Sequence, residues 1–132
     1  MSVADVRLSE EELTDLAAAV AGYCAERLPA PTTARPGTRR DPERVRSEWY
    51  SAAGELGIGS LLIGEAHGGA GASLVEAGRV AEALGASLAA LPYLSTAVFA
   101  PVLLAGLAAG GAAGAAEQLA AVAAGDSIVA VG

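Results

Sequence analysis

The chain has 132 residues, which fits one domain of ordinary size. Hydrophobic residues make up 53% of it and 33 residues are alanine, so the composition excludes a fully disordered chain. A net charge of −7 argues against a nucleic-acid-binding protein, because nucleic-acid phosphates would be repelled. The single cysteine excludes an internal disulfide and therefore a disulfide-stapled secreted fold.

The first predicted helix begins after Ser9. Ser9 and Glu12 have the spacing of a capping box, in which each side chain bonds the backbone N–H of the other residue. Pro29 and Pro31 end this helix, and residues 29–42, which hold four of the six prolines, predict an exposed loop. One stripe at helical spacing is predicted to be buried, namely Leu13, Leu16, Val20, Cys24 and Leu28.

The second predicted helix begins at Asp41 and Pro42, a suitable N-cap and first-turn pair. Its predicted buried face is Val45, Trp49, Ala52 and Leu56. Gly57 supplies the C-terminal stop.

A short apolar run over 58–63 leads into a glycine-rich stretch over 64–71. Its glycine spacing matches neither common phosphate-binding motif, and the chain has no lysine, so we predict a sharp turn. A second capping box at Ser73 and Glu76 begins the next helix. The predicted buried face of this helix is Leu74, Ala77, Ala81, Leu84 and Leu88.

No charged residue occurs from 83 to 116, a length that would permit a membrane span. Prolines at 92 and 101, the glycine pair at 110–111 and the lack of flanking basic residues favour buried helices of a soluble protein instead. We predict helices near 95–109 and 115–124, with Pro101 starting or kinking the first. Residues 127–131 predict a short β-strand whose partner strands are not in this sequence.

The residues alone contain no complete catalytic constellation. His67 is the only histidine, so neither a histidine metal cluster nor a Ser-His-Asp triad is predicted. Cys24 and Trp49 lie on predicted core faces, and the glutamates at 55, 65, 76 and 82 are scattered singly.

The order of these features resembles a known family. Trp49 precedes AGELGIGSLLI (53–63), EAHGGAGAS (65–73), EALG (82–85) and finally AGDSIVA (124–130). This succession resembles the N-terminal helical domain of acyl-CoA dehydrogenases. Gly64 stands where that family usually has proline, and His67 where it usually has tyrosine.

The resemblance implies an all-α, orthogonal or bundle-like domain over residues 1–126, with 127–132 beginning a β domain. It implies α,β-dehydrogenation of an acyl-CoA thioester by a flavin-dependent enzyme of fatty-acid metabolism. It also implies that this domain contributes one wall of the acyl-chain pocket. The residues that map loosely onto this wall, and so are candidate substrate-binding residues, are Tyr93, Leu94, Thr96, Ala97 and Ala100.

In the family, FAD contacts and the catalytic base lie mostly beyond this region. We therefore expect no catalytic, metal-binding or flavin-binding residue here, no FAD on the isolated chain, and no activity of it alone. We expect a cytoplasmic homo-oligomer that binds neither nucleic acid nor membrane. Two alternatives stay open: a non-catalytic helical interaction module derived from the same domain, and a small membrane-associated protein.

Overall fold

The computed structural model describes residues 8–28 and 39–132. Over these ranges the chain forms five α-helices: α1 (Glu10–Arg27), α2 (Pro42–Leu56), α3 (Leu74–Ala86), α4 (Ala100–Ala109) and α5 (Ala115–Ala123). Short 3₁₀ turns occupy Ile58–Ser60 and Glu65–His67, and a π-helical segment, Leu94–Phe99, leads directly into α4. Most of the predicted loop at 29–42 lies outside the described residues.

The helix ends follow the capping signals in the sequence. Ser9 and Glu12 form the predicted capping box at the start of α1, and Asp41 with Pro42 starts α2. Gly57 ends α2 with a φ of 67°, in the left-handed region that glycine adopts without steric cost. Ser73 and Glu76 form the capping box of α3.

Two groups of apolar side chains hold the helices together. The larger cluster contains Trp49 and Ile58 and joins α1, α2, α3 and the segment around Tyr93. The smaller cluster, Ile63, Leu119 and Val122, joins α5 to the turn after α2, with Leu104 of α4 packed against it. Overall, α1 packs mainly on α3, and α4 on α5.

The predicted buried stripe of α1 is confirmed at Leu13, Val20 and Cys24, with the other members half-buried. The predicted face of α3 is wrong at both ends, because Leu74 and Leu88 are 65% and 70% exposed. Leu88 has left the helix and has a positive φ of 52°. The buried face of α3 is instead Glu76, Ala77, Val80, Ala83 and Leu84.

The β-strand predicted at 127–131 does not form in the part of the chain that the structure describes. Residues 126–132 carry no regular secondary structure, because a strand needs a neighbouring strand for its backbone hydrogen bonds. The same described residues contain no strand elsewhere and no helix long and apolar enough to cross a membrane.

Candidate functional site

A groove of about 500 Å³ lies between the C-terminal half of α3 and the chain that follows it. Its walls are mainly apolar, as in small-molecule sites in general. The residues that line it are Ala81, Leu84, Gly85, Ala89, Leu91, Pro92, Tyr93, Leu94, Ser95, Phe99 and Val131.

The rim of the groove is fixed by the turn after α3 and by one arginine. The turn reverses through backbone hydrogen bonds from Leu88 N–H to Gly85 O and from Ala89 N–H to Leu84 O, both at 3.0 Å. Arg40 then donates from Nη1 to Ala90 O at 2.8 Å while its Nη2 pairs with Glu48 at 2.6 Å. Arg40 therefore links the 89–91 side of the groove to Glu48 of α2.

The other side of the groove is built by the π-helical segment Leu94–Phe99. Its wider turn is seen where Ala100 N–H bonds Ser95 O, five residues earlier. Pro101 follows in the first turn of α4, where its missing N–H costs least. Single π turns of this kind occur often at functional sites. Here the turn leaves Leu94 and Phe99 about half exposed at the groove.

Tyr93 joins the groove to the core. Its ring lies 6.5 Å from that of Trp49, tilted by 56°, and its hydroxyl donates to Ala77 O at 3.3 Å. Burial raises the pKa of Tyr93, so the phenol stays protonated at neutral pH. A fixed, neutral phenol suits a pocket wall and not a general base.

The structure separates the five candidate substrate residues into two groups. Tyr93 and Leu94 line the groove. Thr96 and Ala97 of the π-helical segment, and Ala100 at the start of α4, are fully buried and do not line the groove. Sequence reasoning did not assign Ala89, Leu91, Phe99 or Val131 to the site, because an apolar side chain alone does not distinguish a groove wall from the core.

Most backbone amides of the glycine-rich turn form hydrogen bonds within the turn or with the residues just before it. All six amides from His67 to Ala72 donate to backbone carbonyls between residues 60 and 65. A phosphate site needs free amides, so these six amides are not available to bind one. The prediction of a structural turn agrees with this geometry.

Few polar side chains are buried in the described part of the chain. Within 8–28 and 39–132, the polar or charged side chains that are buried are Glu76 and Thr96. The Glu76 carboxylate accepts hydrogen bonds from the Ser73 hydroxyl and from the backbone N–H groups of Ser73 and Leu8. Burial would raise the pKa of Glu76, but these hydrogen bonds outweigh it and hold that pKa below its usual value. Glu76 therefore caps α3 and ties its start to Leu8. Over the same ranges, no cluster of three metal-ligating side chains occurs.

A comparison with protein-family models matches residues 10–126 to the N-terminal domain of acyl-CoA dehydrogenase. Because the match covers most of the chain, the chain belongs to the acyl-CoA dehydrogenase family, through that family's all-α N-terminal domain. Searches of curated proteins and of solved structures gave no significant match.

The family is flavin-dependent in its full-length members. The groove described here does not fit FAD, because FAD carries a pyrophosphate and no arginine lines the groove. Its two hydroxyl groups are also engaged, that of Tyr93 with Ala77 O and that of Ser95 with Pro92 O. The groove fits an uncharged, apolar chain instead.

Proposed function

We propose that this chain is the N-terminal domain of a flavin-dependent acyl-CoA dehydrogenase and contributes one wall of its acyl-chain pocket. The observation that carries the proposal is the apolar groove between α3 and the π-helical segment, in a chain of this family. An acyl chain gains about 0.8 kcal/mol for each CH₂ group that it buries, so an uncharged groove favours it.

In this proposal the described residues bind and orient the acyl chain and exclude water from it. Tyr93 forms a rigid floor, because its hydroxyl is bonded to Ala77 O and its ring packs near Trp49. Leu94 and Phe99 supply exposed apolar surface at the mouth. We assign no proton transfer or hydride transfer to residues 8–28 and 39–132, and we expect the isolated chain to be colourless and inactive.

The binding test is a titration of the 132-residue chain with acyl-CoA thioesters of increasing chain length, followed by backbone NMR. We expect shifts at groove residues that grow with acyl length, and none with CoA alone. Leu94→Gln should weaken this binding. Leu74→Gln is the matched control, because Leu74 is also an exposed leucine, on α3, and does not line the groove. Equal effects of the two variants, or no binding at all, would contradict the proposal.

The activity test uses the whole product of the gene that encodes these residues. We expect it to contain stoichiometric flavin and to reduce an electron acceptor when given acyl-CoA. A flavin-free, inactive product would favour the second candidate, a non-catalytic interaction module. That candidate is supported by the exposed apolar side chains of α4, Val102, Leu103 and Leu107. A cytoplasmic location and self-association are parts of the proposal for either candidate.

A further inference from the structure

The fully buried threonine of the π-helical segment contacts the C-terminal segment through its hydroxyl. Thr96 Oγ1 accepts from the backbone N–H of Val129 and donates to the backbone carbonyl of the same residue, both at 3.1 Å. Thr96 is 0% exposed and lies 33 residues earlier in the chain. One side chain thereby satisfies both polar groups of Val129, as a neighbouring antiparallel strand would.

The contact between Thr96 and Val129 affects the groove through Val131, two positions further along the chain. Val131 is only two residues beyond Val129, so the hydrogen bonds that fix the Val129 backbone also restrict where Val131 can lie. Val131 lines the groove, whereas Val129 packs against the cluster of Ile63, Leu119 and Val122. A second bond, from Gln118 Nε2 to Ser127 Oγ at 2.6 Å, fastens the start of the same segment to α5.

We propose that Thr96 is a positioning residue: by holding Val129 it keeps Val131 in the groove wall and so sets how tightly the groove binds an acyl chain. This inference rests on the proposed function for its ligand. It gives Thr96 a role that does not require contact with substrate, in keeping with its position beneath the groove.

Two independent variants remove the contact. Thr96→Val keeps the shape of the side chain and removes the hydroxyl, whereas Thr96→Ser keeps the hydroxyl and serves as the rescue. Val129→Pro removes the N–H donor from the other partner, at a position outside the described helices, so no helical hydrogen bond is lost. Its control is Val129→Ala, which shortens the side chain but keeps both backbone groups.

The first measurement is amide hydrogen exchange. In Thr96→Val the Val129 amide should exchange several-fold faster, up to about tenfold, since a net hydrogen bond contributes about 0.5–1.5 kcal/mol. Val129→Pro has no amide at this position, so it is tested by the second measurement. Amides of α1 and α3 should keep their protection, which shows that each variant is folded.

The second measurement is affinity for a long-chain acyl-CoA, with CoA alone as the reference. We expect Thr96→Val and Val129→Pro to weaken acyl-CoA binding several-fold, and Thr96→Ser and Val129→Ala to stay within about twofold of the native chain. Faster exchange with unchanged acyl-CoA affinity would overturn the positioning role while leaving the proposed function intact. If the Val129 amide of Thr96→Val exchanged at the native rate, the hydrogen bonding between Thr96 and Val129 would itself be refuted. Failure of the native chain to bind acyl-CoA would refute the proposed function and, with it, the groove role of Thr96.

Discussion

The carboxylate of Glu76 accepts a hydrogen bond from the backbone N–H of Leu8 at 3.1 Å, across 68 positions of sequence. The same carboxylate caps α3 through Ser73, so one buried side chain ties the start of α1 to the start of α3. These two helices form the main helix pair of the larger core. The contact therefore stabilises the layer against which the groove is built.

The first prediction concerns Glu76→Gln. This variant removes a buried charge that three donors stabilise, so we expect the free energy of unfolding at pH 7 to fall by about 1–3 kcal/mol. The control is Glu82→Gln, because Glu82 is an exposed carboxylate on the same helix. Chemical denaturation of both variants makes the comparison, and equal losses would show that the hydrogen bonds to Glu76 contribute little.

The pH dependence of the native chain follows from the same carboxylate. Hydrogen bonding lowers the pKa of Glu76 in the folded state below the ordinary value of 4.5. Its contribution to stability is therefore fully present above that ordinary pKa and is lost as pH falls through the lowered pKa of the folded state. We expect the stability difference between native chain and Glu76→Gln to shrink on acidification over this range. A difference that grows towards acid pH would contradict this assignment.

A further prediction concerns Trp49, a fully buried residue of α2 whose ring lies near that of Tyr93. Trp49→Ala should lower the free energy of unfolding by about 3–5 kcal/mol, because it leaves a large cavity. Trp49→Phe should cost less, since it keeps an aromatic ring, and the indole N–H makes no hydrogen bond within the described residues. Guanidinium denaturation separates the two, and a loss below about 1 kcal/mol for Trp49→Ala would contradict its burial.

Local signals in the sequence predicted the helix boundaries well, because capping depends on residues within one turn of each end. The capping boxes at Ser9 and Ser73 and the stop at Gly57 are examples. The buried face of α3 was less predictable, since which side of a helix faces the core depends on distant partners such as Leu8. The helical spacing of the leucines predicted that Leu74 and Leu88 lie on the buried face, but tertiary packing leaves both exposed.

The groove was also predictable only in part, because its lining depends on contacts between residues that are distant in sequence. The family resemblance pointed to residues 93–100, and Tyr93 and Leu94 do line the groove. Val131 could not be assigned from the sequence, because its position follows from the contact of Thr96 with Val129 across 33 residues. The sequence of residues 127–131 predicts a strand, but nothing in it indicates that Thr96, and not another strand, bonds the Val129 backbone.

The glycine-rich turn gives another prediction, at Gly69. A Cβ atom there would lie 2.0 Å from the carbonyl oxygen of Ile63, so the backbone must move to admit it. Gly69→Ala should therefore be strongly destabilising, by about 3 kcal/mol or more. Gly64→Ala is the matched control in the same turn, because its Cβ would meet nothing within 4 Å and its φ is −63°. Thermal unfolding of the two variants makes the measurement, and similar melting temperatures would show that the turn relaxes easily.

The last prediction is self-association through the outer face of the helix formed by the π-helical segment and α4. Phe99, Val102, Leu103 and Leu107 recur at the spacing of a buried helix face, yet each is 44–61% exposed. No charged residue occurs between 83 and 116, so two copies of this face can meet without burying a charge.

The size of this face indicates how strong the association should be. Together with Leu94, these side chains leave on the order of 500 Å² of apolar surface, near the upper range for a monomer. Two copies would bury about 1,000 Å², which is the lower limit for a specific interface, so we expect a dimer at micromolar concentrations. Sedimentation equilibrium tests this against the monomer mass of 12.9 kDa. Leu103→Gln should shift the chain towards monomer, whereas Leu74→Gln on α3 should not. A native chain that stays monomeric at all concentrations, or a Leu103→Gln variant that dimerises as the native chain does, would show that this face is not the interface.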